Sequence, residues 1–391
     1  MTNDIFRKRL APTGPDMLGI HVESAEGSII RDIQGKTYID LVAGISALPL
    51  GHRHPAVEKA VKNQLERYWH VMVYGEFFQD PTLRLAKNMA AVLPSSLSML
   101  YPVNSGTEAT EAAIKLAKRV TGRPKIVAAK LAYHGNTQGS MSVMGYELRK
   151  RPYTPLIPGI EFIRFNEPDD LEIIDKNTAA VILETIQGGA GFIEPVNGYL
   201  KQVKKRCEET DTLLILDEIQ TGFARTGKMF GFEHYDVIPD ILVTGKALGG
   251  GFPIGAVSAS PEMFKQFTNP PLGHITTFGG HPVVAAAAAE VLIALQKENA
   301  CEQALKRENL IRNKLRHPLI KEIRGRGLML AAIMPDKNTA DRLIYRALEK
   351  GVILFWLLYE PRAVRITPPL NISLDLLEEA LNRILTILDD F

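Results

Sequence analysis

From residue 97 to residue 259 the chain repeats one pattern: a short apolar run, a loop of small residues, a helical stretch, then another apolar run. The runs at 98–103, 125–129, 179–184, 212–217, 241–243 and 254–259 are too short for helices, and their apolar residues do not alternate with polar ones. Strands of that kind are buried on both faces. Helical stretches from after Thr107 to about 120 and at about 198–209 supply the covering layers. The pattern predicts a large α/β domain around a mostly parallel sheet.

The flanking regions read differently. Residues 1–26 are expected to be irregular, with Pro12 and Pro15 as breakers. The segments 28–32 and 37–40, joined by Gln34-Gly35-Lys36, read as a hairpin, and a helix is expected from 56 to about 69. An alanine-rich helix from Pro282 to about Gln296 leads out of the strand-rich region. Beyond it, helices at about 301–316, 336–350 and 374–389 mix with short strands near 320–333, 352–356 and 363–366. We therefore expect an N-terminal segment, 1–50, that joins a smaller α/β domain, 283–391, and a large domain at 51–282. No internal repeat or low-complexity tract interrupts this plan.

Composition removes several classes of function. The net charge is +2, with no basic block, which disfavours nucleic acid as a partner. Two cysteines, Cys207 and Cys301, are too few for a disulfide framework and lack metal-type spacing. His52 and His54 stand two apart with no third ligand nearby, so no metal is expected. No apolar run approaches the ~20 residues of a membrane span, and no signal peptide is visible, so a soluble cytoplasmic protein is expected.

One junction carries chemistry. The strand at 241–243 runs into Thr244-Gly245-Lys246-Ala247 and a glycine-rich loop. A lysine among apolar neighbours loses basicity by desolvation, and a neutral amine forms Schiff bases with carbonyl compounds such as pyridoxal phosphate. The same residue on an exposed loop would be an ordinary surface lysine. A nucleotide phosphate loop is excluded, because Asp240 and Ala247 stand where that motif needs Gly and Ser or Thr.

Partners for such a lysine belong at other strand ends, where open α/β sheets bind ligands. Ser105, Gly106 and Thr107 open a helix whose free N–H groups suit a phosphate, though Ser-Gly-Thr-Glu also serves as a simple cap. Asp217 ends an apolar strand, where a pyridinium nitrogen would pair with it; a loop cap is the alternative. Tyr133 follows the strand at 125–129 and offers a ring to stack on, or core packing. Glu184 and Gln220 end neighbouring segments and reach toward the same cleft.

Together these residues resemble the class III aminotransferases of the ornithine, acetylornithine and 4-aminobutyrate type, which have pyridoxal-phosphate fold type I. The resemblance rests on the segment from Leu214 to Gly227, on Pro239-Asp240-Ile241 through Gly245-Lys246-Ala247, and on Gly51-His52-Arg53-His54-Pro55. It extends through Asn104 to Glu111, Tyr133-His134-Gly135, Glu184 to Gly188, Thr276 to Pro282 and Arg365 to Leu370, nearly the whole chain in order. It implies transamination of an ω-amino group to a 2-oxo acid such as 2-oxoglutarate or pyruvate. Lys246 would hold pyridoxal 5'-phosphate as a Schiff base and move protons. Asp217 would hold the pyridine nitrogen, Tyr133 stack on the ring, and Gln220 approach its phenolic oxygen. Gly106 and Thr107 would hold the phosphate, and Thr277 the phosphate of a neighbouring subunit in a homodimer. Arg365 would bind a carboxylate.

Three positions depart from the family. Asn136 stands where the ornithine and acetylornithine enzymes place an arginine after His-Gly. Gly189 replaces a glutamate that masks the carboxylate-binding arginine, and Ile45 replaces an aromatic near the substrate. These changes bear on the donor rather than on the cofactor chemistry. An aminomutase, decarboxylase or lyase on the same fold, or a catalytically silent binding protein, are the competing readings.

Overall fold

The computed structural model describes residues 2–14 and 18–391; Pro15, expected to break the chain, lies outside them. Among the described residues, fifteen strands form three sheets. The N-terminal strands are β1 (Val22–Glu26), β2 (Ile29–Asp32) and β3 (Thr37–Asp40). The central ones are β4 (Met99–Val103), β5 (Lys125–Ala129), β6 (Ile160–Ile163), β7 (Thr178–Glu184), β8 (Leu213–Asp217), β9 (Ile241–Gly245) and β10 (Gly255–Ala259). The C-terminal ones are β11 (Glu322–Arg326), β12 (Met329–Ile333), β13 (Val352–Ile353), β14 (Phe355–Trp356) and β15 (Ala363–Ile366).

The central sheet has the order β4-β10-β9-β8-β7-β5-β6. Only β10 runs against its neighbours. The expected doubly buried strands are evident in how side chains alternate. Val127, Val181, Leu183, Leu214, Leu216 and Leu242 join the core on one face. Ile126, Ala180, Ile182, Ile215, Ile241 and Val243 pack on the other. Each fully buried Val, Leu or Ile contributes about 1.5–3 kcal/mol, so neither face tolerates a polar replacement.

The helix Gly106–Thr121 covers one face. Ser105 caps it by accepting the Glu108 N–H, and Gly122 ends it at φ +68°. On the other face the helix Pro282–Lys297 presents alanines to the helices Pro55–Arg67 and Asp80–Val92. Small side chains let these helices approach closely.

Two four-stranded sheets flank this body, ordered β1-β2-β3-β13 and β11-β12-β15-β14. The first mixes both chain ends, since β13 pairs parallel with β3. The N-terminal expectation needs correction: residues 1–26 are not irregular throughout, for Thr2–Arg9 is helical and β1 pairs with β2. β1 is largely exposed, so it carries no apolar pattern to read. Strand β6 was likewise not evident, being a four-residue edge strand. Among the described residues no helix is long and apolar enough to cross a membrane.

Candidate active site

The ends of β7, β8 and β9 open on a cavity of about 480 Å³. Its lining draws together Ile45, Gly106, Thr107, Tyr133, Asn136, Glu184, Asp217, Gln220, Lys246 and Arg365 from every part of the chain. Two of the expected residues lie elsewhere. Ser105 directs its hydroxyl to its own helix, and Thr277 is exposed outside the cavity.

Lys246 follows β9 directly and has φ +41°, a left-handed conformation costly for a residue with a β-carbon. Burial lowers its pKa; Asp217 and Glu184 oppose the shift, and Arg365 adds to it. No carboxylate among the described residues forms an ion pair with its amine.

Asp217 ends β8 beside Glu184 at the end of β7. One Asp217 oxygen accepts the Ile219 N–H at 2.9 Å, and the other lies 2.7 Å from His134 Nδ1. Burial opposes the imidazolium of His134, but its hydrogen bond to Asp217 and the charges of Asp217 and Glu184 prevail and raise its pKa. Its Nε2 is buried without a partner among the described residues. Glu184 accepts the N–H groups of Tyr133 (3.1 Å) and Gly188 (2.9 Å). Burial pushes its carboxyl up to about 7, with Asp217 adding and His134 opposing.

The next residue after Asp217 explains why this turn keeps its shape. Glu218 is fully buried and accepts from the hydroxyls of Thr185 and Thr221, each at 2.5 Å, and from the N–H groups of Gly231 and Phe232, each at 2.8 Å. Burial raises its pKa to about 6 against the pull of these four donors. Ile219 then reaches across to the start of the Gly106–Thr121 helix. A β-carbon on residue 106 would lie 2.7 Å from Ile219 Cδ1, so a larger residue there would push the Ile219 side chain aside. Thr107 Oγ1 sits in a hydroxyl cluster with Thr137 (2.8 Å) and Ser140 (2.6 Å).

Ile45 enters from a turn in which Ala43, Gly44, Ile45 and Ser46 all have positive φ, between 51° and 66°. Four such residues in a row persist only under restraint. Asp40 Oδ1 accepts the N–H groups of Val42 and Ala43, and Thr367 Oγ1 donates to Val42 O at 3.1 Å. Ser46 Oγ lies 3.4 Å from Gln220 Nε2.

Arg365, on β15, is 5% exposed. Its Nε and Nη1 have no hydrogen-bond partner among the described residues, and burial lowers its pKa to about 10. A buried, unpaired guanidinium beside a cavity is a site for a ligand carboxylate.

Gly189 is a glycine for a local reason. A β-carbon there would lie 2.8 Å from Cε2 of Tyr359, whose N–H donates to Gly189 O at 2.9 Å. Other contributors escaped the sequence reading: His134, Ile186, Ile219, Phe355, Trp356 and Leu358 also line the cavity. Most sit in apolar runs that read as core. His52 and His54 are occupied elsewhere, paired with Asp40 at 2.9 Å and Glu298 at 2.7 Å.

A seven-stranded, mostly parallel sheet, with a largely buried lysine and a buried aspartate at its strand ends, is the architecture of an α/β enzyme. The chain belongs to the class III aminotransferases, whose family pattern matches residues 10–388. It is 38% identical over 385 residues to the acetylornithine aminotransferase of Caldanaerobacter subterraneus, covering 95% of this chain and 94% of that one. It is 36% identical over 370 residues to the LysW-aminoadipate semialdehyde/glutamate semialdehyde transaminase of Sulfolobus acidocaldarius, covering 93% of each. The ornithine aminotransferase of Toxoplasma gondii superposes with a TM-score of 0.92 at 31% identity, covering 100% of this chain and 94% of that one. An (S)-enantioselective ω-transaminase of Thermomicrobium roseum gives 0.91 at 27%, covering 99% and 97%. The fold is that of the fold type I aminotransferases.

Proposed function

We propose that the protein transfers the ω-amino group of an amine or amino acid to a 2-oxo acid, using pyridoxal 5'-phosphate. The observation that carries this reading is the convergence of Lys246, Asp217 and the Gly106–Thr107 helix start on one cavity. The residues fit the cofactor: a helix N-terminus whose Gly106 and Thr107 line the cavity suits its phosphate, and Asp217 has lone pairs left for the pyridine nitrogen. Pyridoxal phosphate supplies an aldehyde for the amine and a ring that accepts the electron pair released at the substrate carbon.

The chain's own groups do the rest. With the cofactor bound, Lys246, its basicity lowered, would act as nucleophile toward the aldehyde and would carry the proton between the substrate carbon and the cofactor. Asp217, oriented by His134 and the Ile219 N–H, would pair with the ring nitrogen and keep it protonated. Tyr133, Ile219 and Gln220 stand on the cavity wall, where the first two would hold the ring and Gln220 would face its phenolic oxygen. Arg365 takes the carboxylate of the 2-oxo acid.

Exposed Phe77 and Phe78 line a groove with Thr276 and Gly279, and exposed Phe278 follows Thr277, which supports a homodimer in which Thr277 reaches the neighbour's phosphate. The cytoplasm suits the two unpaired cysteines.

The test is Lys246→Ala. It should retain bound pyridoxal phosphate yet lower amine-to-2-oxo-acid turnover by at least about 100-fold, the loss of a positioned proton carrier. Normal turnover in this variant would remove the reading.

A further inference from the structure

The described cavity lining contains no residue of Gly51-His52-Arg53-His54-Pro55. His54 is taken up by Glu298, but His52 stands behind the Ala43–Ser46 turn. Its backbone bonds Gly27 in both directions: His52 N–H donates to Gly27 O at 2.7 Å, and Gly27 N–H to His52 O at 2.9 Å. Gly51 permits that approach. It has φ +73°, and a β-carbon there would stand 2.5 Å from Gly27 O. The imidazole so placed has its Nε2 2.9 Å from Asp40 Oδ2, and toward a carboxylate that nitrogen is the donor.

Asp40 ends β3 and is 2% exposed. Its Oδ1 accepts the N–H groups of Val42 at 2.8 Å and Ala43 at 2.9 Å. One carboxylate oxygen thus serves the turn and the other the histidine. Within the turn, Ser46 N–H donates to Val42 O at 3.0 Å and Ala47 N–H to Ala43 O at 2.8 Å. Those bonds close the turn but leave its first N–H groups without partners inside it, as at the start of any helical turn. Asp40 takes them. The turn is left-handed, which residues with a β-carbon do not hold unaided. Its far side reaches the cavity, where Ile45 lines the wall and Ser46 Oγ meets Gln220 Nε2.

We propose that Asp40, backed by His52, is a positioning residue for the donor: it holds the left-handed turn so that Ile45 stays on the cavity wall and Ser46 beside Gln220. Neither Asp40 nor His52 lines the cavity. The kinetic consequence rests on the aminotransferase reading; the hold on the turn does not.

The experiment compares the parent holoenzyme with Asp40→Ala, Asp40→Asn, His52→Leu, Ile45→Ala and the Asp40→Ala/Ile45→Ala pair. The amine donors are N-acetylornithine, ornithine and 1-phenylethylamine, with 2-oxoglutarate and pyruvate as acceptors. Asp40→Ala should raise the KM of the donor used best by about tenfold, the size of losing one apolar contact, with kcat changed less than about threefold. Asp40→Asn keeps an oxygen for the two N–H groups and should return KM to within about threefold of the parent. His52→Leu should move KM the same way by less, and it carries the test if Asp40→Ala does not fold. In the Ile45→Ala background, Asp40→Ala should add less than about threefold, because the side chain it positions is gone. Hydrogen exchange gives a readout independent of turnover. Peptides covering residues 41–48 should exchange faster in Asp40→Ala and His52→Leu, while those covering 213–217 stay as protected as in the parent. Unchanged exchange at 41–48, a loss confined to kcat, or full additivity with Ile45→Ala would overturn the proposal. A parent holoenzyme that transfers no amino group from any donor would overturn the aminotransferase reading and the effect on KM with it, while the exchange comparison still decides whether Asp40 holds the turn.

Discussion

Asp217 holds two donors before any ligand arrives, and that sets what its loss should do. In Asp217→Ala the pyridine nitrogen would have no anion to keep its proton, so turnover should fall by ~100-fold or more, comparable to losing one preorganised electrostatic contact. Steady-state rates at saturating cofactor check this; unchanged rates would mean that the carboxylate serves His134 and the turn alone. Glu184 makes a different prediction, about pH. Its carboxyl is raised by burial from an ordinary 4.5 to about 7 in the folded chain. Between those values the folded state binds more protons than the unfolded one, so this group lowers stability as pH rises through that window, and the loss is complete above it. Cofactor-free Glu184→Gln should therefore show a flatter melting temperature between pH 5 and 8 than the parent chain. Parallel curves would assign the slope to another group.

At the scale of elements, the turn after β8 depends on a residue that does no chemistry. Removing the Glu218 carboxylate orphans the N–H groups of Gly231 and Phe232 and two threonine hydroxyls, each worth about 1–3 kcal/mol when buried. Glu218→Ala should lower stability by about 3 kcal/mol or more in denaturant unfolding, and activity should fall with it as Asp217 loses its seat. A stable variant would show that the loop is held by its other contacts. This division explains what could be read beforehand. Lys246, Asp217 and Glu184 were legible because each is a charged residue ending an apolar strand, an arrangement that costs energy without a partner. Trp356 and Leu358 were not, since an apolar residue in an apolar run carries no mark of whether it faces core or cavity. Gly189 was read as a missing glutamate, but its meaning depends on Tyr359, 170 positions away and joined to it only by the fold. The runs that form β4, β5, β7, β8, β9 and β10 followed from the pattern of apolar segments, whereas β1 and β6, exposed or at an edge, left no such signal.

For the whole molecule, the proposal for Thr277 makes assembly part of the site. Phe78, 94% exposed, should be covered by a second copy. Phe78→Glu should shift the protein toward monomers in sedimentation and weaken retention of pyridoxal phosphate. Thr277→Ala should weaken retention severalfold while leaving the dimer intact. A monomer that turns over normally would contradict both. The Ala43–Ser46 turn has a further consequence for how the protein comes into being. Its restraint from Thr367 joins residues 325 positions apart, and Arg365 stands two residues before that threonine. On the ribosome, at roughly 5–20 residues per second, the turn must wait tens of seconds for its tether, even though Lys246 and its sheet have long since emerged. A nascent chain can thus assemble the lysine's strand early, but it gains Arg365 and a settled Ile45 only once residues 365–367 are made, so a chain released before then would lack the arginine proposed to hold an acceptor.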